Sequence, residues 1–425
     1  MSYGTADSLR PVTLDDVRGA QKMLTGVARV TAMEGSRHLT QLVGSPVHFK
    51  CENLQRTGSF KLRGAYVRIA GLLPEERAAG VVAASAGNHA QGVALASALL
   101  GVRSTVFMPK GAPLPKISAT KDYGAEVRLH GHVVDETLAA AQEYAHETGA
   151  VFIHPFDHPD IIAGQGTVGL EILEQMPSVG TVLLAAGGGG LVGGVAVAIK
   201  ATRPDVKVVA VQAEQAAALP PSLAAGAPVK LASVATMADG IAVGEPGRIT
   251  FTHVASLVDD VVTVTEESLS SAVLQCIERA KLVVEPAGAA AVAALLQYPG
   301  RFTPPVVAVL SGGNVDPLLL LQIIQHGMKA GGRYLALRLR IPDQPGSLAA
   351  LLAKVSELGA NVVDVEHSRV SGALRLGEAE VVLAAGLQVQ GDLGFAQAQR
   401  AGDPGVLDVD HVGAQFADLG QQRGQ

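Results

Sequence analysis

The sequence predicts an α/β fold built on parallel sheets, with a smaller α+β region after it. Short apolar runs alternate with helical segments along the first 330 residues, as at 80–84, 104–108 and 182–186. This alternation is typical of parallel strands joined by right-handed crossovers. Near residue 334 the pattern changes to alternating apolar and charged residues, which indicates a half-buried antiparallel strand. The composition agrees, since 48% of the residues are hydrophobic and 49 are glycines.

The chain has 425 residues, which is more than one typical domain holds. We expect one unit over residues 1–330, a linker at 331–334 and a second unit at 335–420. The net charge is −6 and the sequence has no long basic run, so a nucleic-acid partner is not expected. Two cysteines, Cys51 and Cys276, are too few for a disulfide framework or a four-thiolate metal site, and we expect buried free thiols.

Two segments bear on localisation. Residues 1–10 are polar and predict no secretory signal. Residues 182–199 carry no charge and contain Gly-x-x-x-Gly spacing, so a membrane helix is one interpretation. Four successive glycines make a continuous helix unfavourable, and a strand, a glycine loop and a helix fit better. The sequence therefore predicts a cytoplasmic protein with no membrane span.

One lysine stands among turn-forming and aromatic residues. Residues 57–64 read Thr-Gly-Ser-Phe-Lys-Leu-Arg-Gly and follow a predicted strand at 47–50. A helix that begins at Ser59 would place Lys61 in its first turn, where the helix macrodipole disfavours a cation. A neutral or covalently modified amine is therefore favoured there. The alternative is an ordinary surface lysine.

Two loops have the composition of anion sites. Residues 85–92 (Ser-Ala-Gly-Asn-His-Ala-Gln-Gly) precede an apolar helix predicted at 93–100. Residues 187–191 (Gly-Gly-Gly-Gly-Leu) precede a helix predicted at 192–200. Free N–H groups at a helix N-terminus suit an anion, and consecutive glycines let several N–H groups converge on one. The alternative is an ordinary strand-to-helix connection for the first loop and a flexible glycine loop for the second.

Other polar residues have two interpretations each. Glu285 precedes a predicted helix, and a capping carboxylate is favoured over a group that acts in the site. His154 and His158 are four residues apart, but the proline after each disfavours a helix, so loop histidines are favoured over a metal pair. We assign no chemical role to Asp239.

Together with Ser-Gly-Gly-Asn at 311–314, these motifs occur in the order found in the fold-type II family of pyridoxal phosphate enzymes. The sequence resembles that family over residues 25–325, and within it is most similar to the threonine dehydratase (threonine ammonia-lyase) family. The resemblance implies a tryptophan synthase β-like fold of two parallel-sheet lobes, the small lobe at about 50–150 being inserted in the larger one. It also implies pyridoxal 5'-phosphate as the cofactor.

The resemblance implies a role for each motif. Lys61 carries the cofactor covalently and, once released, acts as general base at the substrate Cα. Phe60 lies against the cofactor ring, and Asn88 bonds its phenolic oxygen. Ser311 stands beside the pyridine nitrogen, where a neutral hydroxyl makes a weaker electron sink than a carboxylate. The cofactor phosphate binds Gly187, Gly188, Gly189, Gly190 and Leu191, and the substrate binds Ser85, Ala86, Gly87, Asn88 and His89.

The implied reaction is an α,β-elimination that converts L-threonine to 2-oxobutanoate and ammonia, and L-serine to pyruvate. A serine dehydratase or racemase of the same fold is the alternative, but Ala86 stands where racemases have a second catalytic serine. Gln212 and Ala218 stand where racemase-like members bind a cation through acidic residues, so no metal is expected. A cysteine or threonine synthase and a catalytically silent amino-acid sensor are further alternatives.

The C-terminal region resembles an ACT domain, a small amino-acid-sensing module. After the alternating strand at 334–341, a helix is predicted to end near 358, with further strands at 361–370 and 379–387 and a fraying tail after about 417. Asp343 and Gly346 are the candidate effector-binding residues, with a structural or oligomerising role as the alternative. The resemblances imply an allosteric homo-tetramer in amino-acid metabolism, such as isoleucine biosynthesis.

Overall fold

The computed structural model describes residues 10–330, 333–357, 359–369, 374–387 and 407–408. The expectations for residues 1–9, for 331–332 in the linker and for the tail beyond 408 lie outside the described residues. The chain divides between Leu321 and Gln322 into two compact units. The motifs of the first 314 residues fall in the first unit, and the ACT-like pattern falls in the second.

The described strands of the first unit form two sheets. They are β1 (Met33–Gly35), β2 (Val47–Lys50), β3 (Val81–Ala84), β4 (Ser104–Met108), β5 (Glu126–Leu129), β6 (Val151–Phe152), β7 (Thr181–Ala185), β8 (Lys207–Ala213), β9 (Asp260–Val264) and β10 (Val306–Val309). The larger sheet has the order β1-β2-β10-β7-β8-β9 and is parallel apart from the β1–β2 pair. The smaller sheet has the order β5-β4-β3-β6 and is parallel throughout. The predicted α/β class is confirmed.

The described helices alternate with these strands. They are α1 (Leu14–Met23), α2 (Arg37–Val43), α3 (Lys61–Ala70), α4 (Pro74–Ala79), α5 (Asn88–Leu100), α6 (Leu114–Asp122), α7 (Val134–Thr148), α8 (Pro159–Gln175), α9 (Gly190–Thr202), α10 (Leu219–Ala225), α11 (Arg248–Leu257), α12 (Glu266–Gln275), α13 (Pro286–Gln297) and α14 (Pro317–Ala330). Not one of these helices has the length and apolarity needed to cross a membrane. The charge-free segment 182–199 divides into a strand, a glycine loop and a helix, as predicted.

The topology brings the sequence motifs to one region. The chain leaves the larger sheet after Lys50, builds the smaller sheet from residues 81–152 and returns to the larger sheet at Thr181. The loops after β3, β7 and β10 lie at the carboxyl ends of parallel strands, which is where α/β proteins bind ligands. The first of these loops leads into α5 at Asn88, and the other two hold the glycines from Gly187 and Ser311.

Helix α8 packs closely against both α3 and α9. A Cβ atom on Gly164 would lie 2.6 Å from the Cα of Gly64, and one on Gly166 would lie 2.7 Å from the carbonyl oxygen of Gly194. Larger side chains at these crossings would push the helices apart. The small residues therefore hold α3, which carries the motif lysine, and α9, which follows the glycine loop, against one common helix.

The predicted boundaries of α1 and α3 are wrong. Helix α1 ends at Met23 instead of near residue 27, because the chain turns there and Gly26 adopts a φ of 75°. Helix α3 begins at Lys61 and not at Ser59. Ser59 instead forms an isolated antiparallel bridge with Gly312, which ties the start of the helix to the loop after β10.

Among its described residues the second unit contains the larger part of α14, a four-stranded sheet and one further helix. After α14 its elements are β11 (Tyr334–Pro342), α15 (Ser347–Glu357), β12 (Ala360–Ser368), β13 (Glu378–Leu387) and β14 (Leu407–Asp408). The strand order is β12-β13-β11-β14, and only the β11–β14 pair is parallel. Leu339 and Ile341 of β11 are buried against Leu351 and Val355 of α15, as the alternation predicts. The order β-α-β-β agrees with the predicted α+β module.

Candidate active site

Lys61 is the first residue of α3, and its side chain is half-buried. Its Nζ donates a hydrogen bond of 2.9 Å to the carbonyl oxygen of Pro155 and lies 5.3 Å from the centroid of the Phe60 ring. Burial lowers the pKa of the Lys61 amine to about 8, while the carboxylate of Glu285 acts in the opposite direction. The neutral fraction of this amine near neutral pH is therefore far larger than that of an ordinary lysine, and the neutral form is the one that acts as a base or nucleophile.

A buried ion network stands behind the Lys61 turn. Both ends of the Arg63 guanidinium are paired, with Glu52 at 2.8 Å and with Glu171 at 2.6 Å, and Lys50 Nζ contacts the same Glu171 at 2.5 Å. All four side chains are almost fully buried, and their formal charges cancel. The network joins β2 to α3 and α8, so it fixes the helix turn that presents Lys61. No pattern in the sequence indicated these partners, although Arg63 belongs to the motif.

Helix α5 begins at Asn88, five residues earlier than predicted. Gly92 lies inside the helix and packs against the start of α3. A Cβ atom at this position would lie 3.1 Å from the carbonyl carbon of Lys61, so a larger residue would press on the α3 backbone. The starts of α5 and α3 therefore touch. The backbone N–H groups of Asn88 and His89 donate to no other described residue, and they form the unpaired first turn of α5.

Two asparagines and a glutamate form a chain of hydrogen bonds beside Lys61. Asn314 Nδ2 donates to Asn88 Oδ1 at 2.7 Å, and Asn88 Nδ2 donates to Glu285 Oε1 at 2.5 Å. Asn314 also donates to the carbonyl oxygen of Thr57 at 2.6 Å. These bonds fix the orientation of the Asn88 amide and leave it one further N–H to offer a ligand.

The favoured interpretation of Glu285 as a capping carboxylate is wrong. Glu285 occupies the N-cap position of α13, but its side chain makes no capping bond to a described residue and turns to Asn88. Its side chain is 3% exposed. Burial, with a smaller effect of Asp239, raises the pKa of Glu285 to about 7. The chain before Glu285 forms a π-helical turn at Cys276–Ala280, and Lys281 after it has a φ of 60°.

The glycine loop after β7 presents a row of backbone donors. None of the N–H groups of residues 187–192 donates to another residue that the structure describes. Gly188, Gly189, Gly190 and Leu191 are buried, and Gly187 is half-buried. Buried N–H groups without an acceptor are rare in proteins, and at a helix N-terminus they suit an anion. The row has the geometry that suits an anion such as a phosphate group, and the binding of the cofactor phosphate by this loop stays a prediction.

Residues 153–157, which follow β6, contact Lys61, the start of α5 and the glycine loop. Ile153 O accepts a bond from His89 Nε2 at 2.8 Å, and Pro155 O accepts from Lys61. Phe156 packs against the glycine loop, where a side chain on Gly188 would overlap its ring. Asp157 accepts three backbone N–H bonds from the start of α11. Sequence reasoning identified this segment only as the return to the larger lobe.

The remaining predicted site residues lie near these groups. Ser311 is 4% exposed, and its Oγ is 3.5 Å from Ala287 O, a long contact that leaves the hydroxyl able to bond a ligand. Ser85 Oγ accepts from Gly87 N at 3.1 Å, which shapes the loop around Ala86. The His89 ring is buried and its Nε2 bonds Ile153 O, and burial lowers its pKa to about 3, so the ring is neutral.

The other polar candidates have structural partners. His154 and His158 accept backbone N–H bonds through Nδ1, as expected for loop histidines. Gln212 is buried and bonds Ala186 O and Leu219 N, and Asp239 pairs with Lys116 at 2.8 Å. Within the described part of the chain, no group of three or more His, Cys, Asp or Glu could hold a metal ion. Both cysteines are free and buried, as predicted.

Comparisons with known proteins agree with this arrangement. Residues 24–312 match the family model described as pyridoxal-phosphate dependent enzyme. An L-threonine ammonia-lyase of Thermotoga maritima is 47% identical over 372 residues, which cover 88% of this chain and 93% of the relative. Among solved structures, the processed form of threonine deaminase isoform 2 from Solanum lycopersicum is 35% identical with a TM-score of 0.70, over 77% of this chain and 98% of its own. The structure of maize serine racemase is 35% identical with a TM-score of 0.71, over 76% of this chain and 100% of its own.

Proposed function

The chain belongs to the pyridoxal-phosphate dependent enzyme family, and from that premise we propose that it converts L-threonine to 2-oxobutanoate and ammonia. L-Serine, which differs by one methyl group, would be converted to pyruvate. The observation that carries this proposal is the environment of the Lys61 amine. Burial lowers its pKa to about 8, and it donates a hydrogen bond to Pro155 O. The next residue, Phe156, packs against the glycine loop, so the amine and the loop lie at one site.

The residues present fit the family's cofactor. The unpaired N–H row of residues 187–192 suits its phosphate, and the Lys61 amine suits its aldehyde. Asn88 has one N–H left for the phenolic oxygen, and Ser311 offers a neutral hydroxyl to the ring nitrogen. Phe60 lies beside Lys61 and would contact the ring. When bound, pyridoxal phosphate stabilises negative charge at the substrate Cα.

Lys61 Nζ is the group that would remove the Cα proton. A general base works best when its pKa is near the working pH, and burial brings the amine to that range. Pro155 O holds the amine in place by a hydrogen bond, and the ion network behind Arg63 holds the helix turn. The first-turn N–H groups of Asn88 and His89 would bind the substrate carboxylate.

Elimination is favoured over racemisation by the residue at position 86. Racemisation needs a second group that returns a proton to the other face of Cα. In the loop Ser85–Gly87 the central residue is Ala86, which has no proton to exchange. This supports a dehydratase and weakens the racemase alternative.

The substrate proposal is tested by steady-state kinetics of the holoenzyme. We expect a higher kcat/KM for L-threonine than for L-serine, release of 2-oxo acid from both, and no D-serine from L-serine. Threonine that yields no 2-oxobutanoate would contradict the proposal. D-Serine formation faster than pyruvate release would establish the racemase alternative instead.

We also propose that the second unit binds an amino-acid effector at the turn between β11 and α15. Asp343 pairs there with Arg369 at 2.8 Å, and Gly346 adopts a φ of 94° in the same turn. An Asp343→Asn variant should lose any response to branched-chain amino acids and keep its basal rate. A response equal to that of the wild type would exclude Asp343. The tetramer stays a prediction, which light scattering would test.

A further inference from the structure

We propose that Thr250 and Asp157 are positioning residues that set the Gly188–Gly189 peptide, and so direct one glycine-loop N–H group at the cofactor phosphate. The proposal rests on the proposed phosphate site and is independent of the substrate. Both residues lie outside the sequence motifs.

The carbonyl oxygen of Gly188 is held by two donors from the α11 side. Thr250 Oγ1 donates to it at 2.6 Å, and Gly247 N donates at 3.2 Å. Thr250 Oγ1 also lies 3.1 Å from Gly247 O. A hydroxyl has only one hydrogen to donate, and the shorter distance assigns that hydrogen to Gly188 O. The Thr250 side chain is fully buried, so water does not compete for these bonds.

Anchoring this oxygen fixes the next N–H group. In a trans peptide the C=O and the following N–H point in opposite directions. With the Gly188 oxygen held by α11, the Gly189 N–H faces away from α11 and joins the row of unpaired donors. Gly189 has a φ of 95°, and a Cβ there would lie 3.0 Å from the Cβ of Thr250. Thr250 therefore lies directly against the peptide that it holds.

Asp157 in turn fixes the helix turn that carries Thr250. Its carboxylate accepts the N–H groups of Arg248 at 3.0 Å, Ile249 at 2.9 Å and Thr250 at 3.0 Å. These are first-turn donors of α11, and a carboxylate there also complements the helix dipole. Asp157 directly follows Phe156, whose ring packs on the glycine loop. The segment that holds the Lys61 amine thus also holds the helix that orients the phosphate donors.

The test compares two forms of the cofactor on the apoprotein. Dissociation constants are measured by absorbance for pyridoxal 5'-phosphate and for pyridoxal, which lacks the phosphate. Thr250→Val removes the hydroxyl and keeps the shape. It should weaken pyridoxal 5'-phosphate binding about fivefold, as expected for one lost hydrogen bond. Binding of pyridoxal should change less than twofold, and Thr250→Ser should restore the phosphate-dependent affinity.

A matched control is available on the same helix. Thr252 is exposed, and its hydroxyl bonds Arg248 O within α11, so Thr252→Val should alter neither dissociation constant. If Thr250→Val folds poorly, Asp157→Asn provides the second variant, and it should produce a smaller loss in the same phosphate-selective direction. Circular dichroism of each variant checks that α11 and the sheets are intact.

The outcomes separate the two proposals. An equal loss for both ligands, or no loss for the phosphate form, would overturn the role of Thr250 and Asp157. A wild type that binds both ligands equally would overturn the phosphate site and this inference with it. A wild type that discriminates between them but fails to deaminate threonine would leave the inference standing and refute the proposed substrate.

Discussion

Two helix N-termini belong to the candidate active site, and they are built in opposite ways. The start of α3 carries Lys61 and is held from behind by the charged side chains of Arg63, Glu52 and Glu171. The start of α9 has no charged side chain in its first turn, and its glycines offer only backbone N–H groups. Each is suited to a different task, since a lysine amine transfers protons and a row of N–H groups binds an anion.

The difference has a physical reason. A helix N-terminus attracts negative charge, so α9 needs no side chain to bind a phosphate. The same dipole works against an ammonium group at the start of α3 and, with burial, favours the neutral amine of Lys61. The first terminus therefore depends on side-chain chemistry and the second on backbone geometry, and substitutions should affect them differently.

The largest effect is expected at Lys61. Lys61→Ala removes the base and the covalent attachment point, so kcat should fall by about 10³-fold or more. The measurement is 2-oxo acid release with saturating pyridoxal 5'-phosphate. Lys121→Ala, an exposed lysine on α6, is the control and should keep the wild-type rate. Retained turnover in Lys61→Ala would exclude the assigned base.

Arg63→Met tests the support behind α3. It would leave Glu52 and Glu171 buried with only Lys50 as a cation, and breaking a buried network of this kind costs about 3–5 kcal/mol. Urea unfolding of the apoprotein measures the change. Arg18→Met, which breaks an exposed pair with Asp15 on α1, should cost less than about 1 kcal/mol. Equal effects of the two variants would contradict the bracing role.

Gly188→Ala tests the backbone geometry of the second terminus. Its Cβ would overlap the Phe156 ring, and such overpacking costs about 1–3 kcal/mol. We expect the loss to appear as weaker binding of pyridoxal 5'-phosphate. Gly193→Ala is the matched control, because its Cβ would meet His253 Cβ at 3.4 Å, an ordinary contact. Alanine favours the helix there by about 0.5–1 kcal/mol. Unchanged cofactor affinity in Gly188→Ala would contradict the packing that we describe.

Glu285→Gln should produce a smaller, pH-dependent change. The pKa of Glu285 rises from 4.5 to about 7 in the fold, so between these values the native state binds more protons than the unfolded state. The stability that this group contributes is full below pH about 4.5 and is lost as the pH rises through about 7. Relative to the variant, the wild-type apoprotein should lose at least about 1 kcal/mol over that window. Exposed Glu267→Gln should show no such trend, and a flat difference for Glu285→Gln would contradict its buried, protonated state.

The parts that local sequence determines were predictable. Hydrophobic runs predicted β3, β4 and β7, because short buried strands depend on their own apolar residues. The Lys61 motif and the glycine loop were found because their special composition is contiguous. The helix starts at Lys61 and Asn88 were misplaced, since contacts with Gly312 and with the α3 backbone decide them.

The parts that depend on distant partners were missed. Glu285 bonds Asn88 across 197 positions of the chain, and a glutamate before a helix resembles a cap until that partner is known. The Pro155 carbonyl is a backbone group that no side-chain motif reveals. Thr250 is likewise one threonine among many, and only its contact with the Gly188 oxygen distinguishes it.

Attachment of the cofactor to Lys61 is tested most directly by borohydride reduction of the holoenzyme. Reduction makes the attachment permanent, and peptide mass mapping then locates it. We predict a single modified peptide, with the pyridoxyl phosphate mass on Lys61. A label on another lysine, or no label in protein that contains the cofactor, would contradict the assignment of Lys61.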